Sequence, residues 1–222
     1  MSDHDHSPSG TGRLITGVAW VVLLLGLWMW GREVTDVPPG TSGPTTGDMA
    51  AAGRPPRVDL PPAHRPLGAA LPQRLDIPGV GVQAPVVSRG LDSGGAPAPP
   101  PFEQPGVVGW YKGGAAPGAA GTAVMVGHVD TESRPAVFYK VSTLRPGQKI
   151  RVVRADARVA EFTIEDVQVL TRDGFDAHQA YGPRRTGRAE LRLITCGGSF
   201  DRASRSYTAN VVVSAYLTGT AH

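Results

Sequence analysis

One thiol stands in the whole chain, Cys196, at the end of the run Leu191-Arg192-Leu193-Ile194-Thr195 and directly before Gly197-Gly198. As a thiolate, such a sulfur attacks carbonyl carbon and holds the acyl group covalently. Two glycines beyond it leave room for a substrate backbone to approach. The same position also suits an inert, buried cysteine used as a small apolar filler. His128 closes a second apolar run, Thr122-Ala123-Val124-Met125-Val126-Gly127. Of the six histidines, His4 and His6 lie near the start, His64 in a Pro-rich stretch and His222 at the end. That leaves His128 and His178 for the folded part, and an imidazole beside a thiol is a general acid and base for amide chemistry. Arg205 follows nine residues after Cys196, with Arg202 as its competitor. A guanidinium presents a rigid fork of donors that suits a carbonyl or an oxyanion. Asp130, two residues after His128, shares its face on a strand and is available to orient the imidazole or to close a surface turn.

The elements that must position these groups read as strands. Short Val-, Ile- and Thr-rich runs bounded by Gly and Pro cover 74–77, 82–88, 107–111, 122–129, 150–154, 159–170, 190–195 and 210–217. Eight strands with few helical signals predict a closed barrel or a sandwich. Short helices are expected at 135–141, with Pro135 in the first turn, and at 176–181. The Pro-rich 94–101 reads as a surface loop, and 171–188 as a long connection that walls a groove next to the cysteine strand. Arg184, Arg185 and Arg188 in that connection are expected to face anionic polymer or lipid headgroups. Trp110 and Tyr111 read as core. Glu132, Glu165 and Asp166 are dispersed carboxylates, and neither a metal nor another cofactor is expected.

Composition narrows the class further. The chain has 222 residues, 41% hydrophobic and 18% charged, with a net charge of +3. This leaves one folded domain with appendages and excludes a fully disordered chain. A single cysteine excludes intramolecular disulfides and Cys-rich zinc sites. The uncharged run 14–30 carries three of the four tryptophans and is bracketed by Arg13 and Arg32. It reads as an uncleaved transmembrane anchor, because two bulky tryptophans occupy the place where small residues would mark a cleavage site. Residues 1–13 form a short polar tail, placed on the cytoplasmic side. Residues 31–68 hold eight prolines and six glycines and read as a semi-stiff linker. The folded domain is then 69–222. Nucleic-acid binding is disfavoured, since no stacking platform accompanies the basic residues.

Taken together, Gly127-His128-Val129-Asp130, then Pro135-Ala136-Val137-Phe138-Tyr139-Lys140, Leu193-Ile194-Thr195-Cys196-Gly197-Gly198 and Arg205-Ser206-Tyr207 resemble the sortases, most closely the actinobacterial class F group. The resemblance runs from about Leu71 to Leu217. It implies an eight-stranded β-barrel whose Cys196 is the nucleophile, His128 the acid and base, and Arg205 the carbonyl and oxyanion ligand. Thr195, Asp130 and Tyr207 are candidate substrate contacts. Arg192, four residues before the cysteine, departs from the Thr frequent there. The implied activity is cleavage of a Leu-Pro-X-Thr-Gly-type sorting signal between Thr and Gly, with transfer to a peptidoglycan amine. The implied location is the cell membrane, with the catalytic domain outside the cytoplasm. The rival readings are a cysteine peptidase releasing its product to water, an L,D-transpeptidase, and a membrane-tethered binding module without catalysis. An L,D-transpeptidase is expected to set its cysteine in a Ser-His-Gly-Cys context, whereas here Thr195 precedes it.

Overall fold

A computed structural model describes residues 59–171, 176–202 and 206–221. The anchor run 14–30 and Arg205 lie outside the described residues. Eight strands form in chain order: β1 (Pro72–Ile77), β2 (Val82–Arg89), β3 (Val108–Tyr111), β4 (Gly121–Val126), β5 (Lys149–Arg154), β6 (Val159–Thr171), β7 (Ala189–Asp201) and β8 (Ser206–Ala221). They close into a barrel in the order β1-β2-β3-β4-β7-β8-β6-β5. The expected eight-stranded all-β architecture is therefore the observed one. β2 with β3 and β4 with β7 run parallel, and the remaining pairs are antiparallel.

Alternation sorts the side chains onto two faces. Ala123, Met125, Leu191, Leu193, Val211, Val213 and Ala215 join Leu75, Ile77, Phe138, Ile150, Phe162 and Ile164 inside the barrel. The intervening Val124, Val126, Ile194 and Val212 form a smaller apolar cluster on the outer face, covered by Ala180, with Tyr111, Leu170 and Tyr181 packed against it. Its cover is α1 (Ala177–Tyr181), capped at Asp176, whose carboxylate accepts from the His178 N–H at 2.8 Å. This is the short helix expected at 176–181. Among the described residues no helix is long and apolar enough to cross a membrane.

Three expectations differ from the structure. The helix expected over 135–141 is absent, and a single 3-10 turn forms at Val141–Thr143. Its would-be helical N–H groups are spent elsewhere: Ala136 donates to Val129 O, Val137 to Pro105 O and Phe138 to His128 O. Long-range partners override the local Pro signal. The fourth strand stops at Val126 rather than at 129, whereas β7 and β8 outrun their apolar cores and extend beyond the barrel as a hairpin.

The third difference concerns the linker, assigned to 31–68. From Asp59 onward the described chain belongs to the same compact unit as the barrel, so the end of that stretch lies on it. Proline lacks an N–H, yet its carbonyl still accepts: Tyr216 donates to Pro61 O at 2.6 Å. His64 and Leu67 donate to Leu217 O and Gly118 O. The buried Arg154 donates to Gly68 O at 2.6 Å and to Pro117 O at 2.7 Å.

Candidate active site

The parallel pairing of β4 with β7 sets Val126 opposite Ile194, and the Gly127 N–H donates to Ile194 O at 3.2 Å. Two positions past that rung on each strand stand His128 and Cys196. Val126 and Ile194 share the outer cluster, so alternation turns Cys196 to the same outer face. Two residues 68 positions apart in sequence are brought to adjacent strand ends. Cys196 is half-buried, and His128 is 7% exposed.

The imidazole is held from two sides by the connection between β2 and β3. His128 Nε2 lies 2.7 Å from Pro100 O. A carbonyl only accepts, so in this contact Nε2 is the N–H donor and Nδ1 is the nitrogen left open. Phe102 stacks on the ring, with centroids 4.1 Å apart and planes at 22°. Gly127 makes this seat possible from below, since a Cβ there would meet Val137 Cγ1 at 2.7 Å and the Phe138 ring at 2.8 Å. Pro100 and Phe102 were invisible as site residues in the sequence, where their segment reads only as a surface loop. The one available signal was length: 18 residues separate β2 from β3.

On the cysteine side, the hairpin bends at Gly198, where φ is +77° and an added Cβ would meet Thr208 Oγ1 at 2.6 Å. A β-branched or bulky residue does not fit this left-handed, crowded position. Beyond the bend Phe200 pairs with Tyr207, ring edge to face at 5.2 Å. The Tyr207 hydroxyl donates to the Asp130 carboxylate. That bond, with burial and the nearby Asp130 and Cys196 charges, pushes the Tyr207 phenol up to about 12. Asp130 therefore engages Tyr207 and closes a turn, its expected second role, rather than meeting the imidazole nitrogen that Pro100 occupies.

Thr195 is not brought to this face. It pairs with the core residue Val211, is 4% exposed, and its hydroxyl has no hydrogen-bond partner. In the connection between β6 and β7, α1 lies on the outer cluster, and burial together with Asp92 from the β2–β3 connection pushes the Tyr181 phenol up.

Two arginines of this connection, Arg184 and Arg188, pair with carboxylates of the barrel. Arg188 pairs with Glu165 at 2.9 Å and Glu190 at 2.8 Å, and lies 4.6 Å over the Tyr216 ring. Arg184 pairs with Asp166 at 2.8 Å. Arg192, the residue that departs from the family's Thr, is fully buried, pairs with Glu190 at 2.7 Å and donates to Gly182 O. Burial alone would push the Glu190 carboxyl up, but the Arg184 N–H and the Arg192 guanidinium hold it below its ordinary value. The network straps this connection to β6 and β7. Glu165 and Asp166 are thereby engaged by arginine, and Trp110 sits in the core as expected, donating from Nε1 to Ala115 O at 3.1 Å.

Solved structures share this fold at low identity. The SrtA sortase from Actinomyces oris matches with a TM-score of 0.52 at 19% identity, covering 74% of this chain and 89% of its own. A lid mutant of sortase A from Corynebacterium diphtheriae gives 0.50 at 16%, covering 69% and 73%. Sortase C1 from Streptococcus agalactiae gives 0.50 at 15%, covering 66% and 67%. The chain spans 62% of another Corynebacterium diphtheriae sortase A structure. No curated protein matches by sequence. The family model of the sortase domain matches residues 75–218, a stretch that contains Cys196 and His128 and reaches into all eight strands, and the chain belongs to the sortase family.

Proposed function

We propose that this chain is a membrane-anchored cysteine transpeptidase of the class F type. It cleaves a Leu-Pro-X-Thr-Gly-type sorting signal between Thr and Gly and passes the acyl group to a peptidoglycan amine. The observation that supports the reading is that Cys196 and His128 each stand two residues past the same rung of the paired parallel strands β4 and β7. In the first half-reaction the Cys196 thiolate attacks the Thr carbonyl carbon. The resulting oxyanion collapses, the C–N bond to Gly breaks, and the departing amine takes a proton from the imidazolium. With Nε2 donating to Pro100 O, the transferred proton belongs to Nδ1. In the second half-reaction the acceptor amine attacks the thioester, gives its proton back to Nδ1, and expels the thiolate. One amide replaces another, so no nucleotide energy source is needed outside the cytoplasm. The Arg205 guanidinium is assigned to the carbonyl and the oxyanion, and residues 14–30 to the membrane.

A mass spectrum of the full chain incubated with a sorting peptide, with and without an amine acceptor, tests this. The expected result is an acyl adduct on Cys196 that is discharged to a ligated product when amine is present. An adduct discharged only to water at every amine concentration makes the protein a peptidase. No adduct at all overturns the assignment.

A further inference from the structure

The two carriers of the reactive groups part company just where the chemistry sits. Gly127 N–H to Ile194 O is the last backbone bond that joins the β4 line to β7. Beyond it the His128 strand turns into 129–137, while the Cys196 strand continues as a hairpin with β8. Glycines adjoin both reactive residues: Gly127 before the histidine, Gly197 and Gly198 after the cysteine. Glycine restricts the backbone least, so these are natural hinges. Across the gap reaches a long-range bond, from the Tyr207 hydroxyl at the tip of β8 to the carboxylate of Asp130.

Both partners are set for this bond. Asp130 is fixed in a braced turn: it bridges to Pro135, and Thr131 and Arg134 exchange backbone and hydroxyl hydrogen bonds inside that turn. Tyr207 is held from the other side by the edge of Phe200. Hydrogen bonds to a charged acceptor are the strong class, and this one closes a loop of 77 residues.

We propose that Tyr207 and Asp130 are positioning residues: their bond clasps the histidine turn to the cysteine hairpin and sets the distance between imidazole and sulfur during acyl transfer. The proposal rests on the reading that Cys196 and His128 perform the transfer. It replaces the expectation that Tyr207 and Asp130 touch substrate, since each polar group is given to the other. Because Tyr207 is pushed up to about 12, the phenol remains a donor throughout the neutral range.

The test compares Tyr207→Phe, Asp130→Ala, the double variant and Asp130→Asn in the full chain, measuring kcat, KM and melting temperature. A misplacement of about 1 Å costs up to about a hundredfold in rate. Each single disruptive variant is expected to lower kcat about ten- to hundredfold, with KM within about twofold and melting unchanged. The double variant falls no further than either single, because both remove the same bond. Asp130→Asn keeps an amide oxygen as acceptor and recovers most of the rate. A raised KM with kcat intact makes the pair a substrate contact and overturns the proposal. So does an additive double variant, or a kcat loss matched by a loss of melting temperature. The bond itself is read without activity by following the Tyr207 ring carbon in an NMR titration. In Asp130→Ala the phenol is expected to fall toward the ordinary value of about 10. A wild-type phenol already at that value removes the clasp, whereas a wild type that forms no acyl adduct removes only the transfer reading.

Discussion

The two ends of the barrel are built on opposite principles. At the end where β7 starts and β8 finishes, charge is buried and met several times over. Glu190 accepts from the Arg184 and Arg185 backbones and pairs with both Arg188 and Arg192. Arg154 reaches Pro117 O, Gly68 O and Asp156. At the end where β4 and β7 finish, the contacts around the site are hydrogen bonds: His128 Nε2 meets Pro100 O, and the Tyr207 hydroxyl donates to Asp130. A buried ion with several partners resists displacement, because losing one partner leaves an uncompensated charge. An imidazole held through Nε2 keeps Nδ1 for proton exchange. On the proposed function the lower end carries stability and the upper end chemistry, and substitutions at the two ends should move different observables.

The largest expected effect is at the upper end. Cys196→Ala removes the acyl carrier and should lower turnover of a sorting peptide by a factor on the order of 10^4 or more, while the melting temperature holds. His128→Ala comes next, at about 10^2 to 10^4, the range of a lost general acid and base. Arg205→Lys keeps the charge but loses the fork, and a severe reduction in kcat is expected in the same assay. If turnover survives Cys196→Ala, the division between the ends collapses, for the upper end then holds no nucleophile.

The sharpest contrast comes from Glu190→Gln at the lower end. It leaves Arg192, fully buried, without its counter-charge. Breaking a buried pair in this way costs about 3–5 kcal/mol, read as a lowered denaturation midpoint, with kcat per folded molecule unchanged. The same variant carries a pH signature. The folded Glu190 carboxyl lies below its reference value of 4.5, so the unfolded chain binds more protons in the acid range. Its contribution is complete above that value and fades as pH falls through the lower folded one. The wild-type acid limb should therefore be steeper than that of Glu190→Gln. Equal limbs would mean that the network adds no stability.

What the sequence disclosed follows the same division. Strand periodicity is local, so the eight strands were legible, as was the helix capped by Asp176. Cys196 and His128 stood out because each ends an apolar run, and both stand two residues past one rung of β4 and β7. Thr195 shows the limit of adjacency: one residue from the cysteine, it points into the core. The failures were long-range. No local rule indicates that 136–138 gives its N–H groups to Val129, Pro105 and His128, or that 59–68 lies on the barrel. Arg184 and Arg188 look solvated until Glu165, Asp166 and Glu190 are seen beside them.

The smallest effect expected is also the finest test of how the upper end is organised. Phe102 stacks on the imidazole yet is 65% exposed, so its side chain buries little area that folding would miss. Stacked aromatic pairs contribute about 0.5–1.5 kcal/mol beyond area burial, which corresponds to a rate effect of about three- to tenfold if the contact is spent on holding the ring. Phe102→Ala is thus expected to lower kcat by that factor with melting unmoved, and Phe102→Tyr, which keeps a stacking face, to recover the rate. The opposite pattern, a melting temperature that drops while kcat holds, would assign Phe102 to the scaffold. The connection between β2 and β3 would then belong with the lower end in its physics despite standing at the upper end in space.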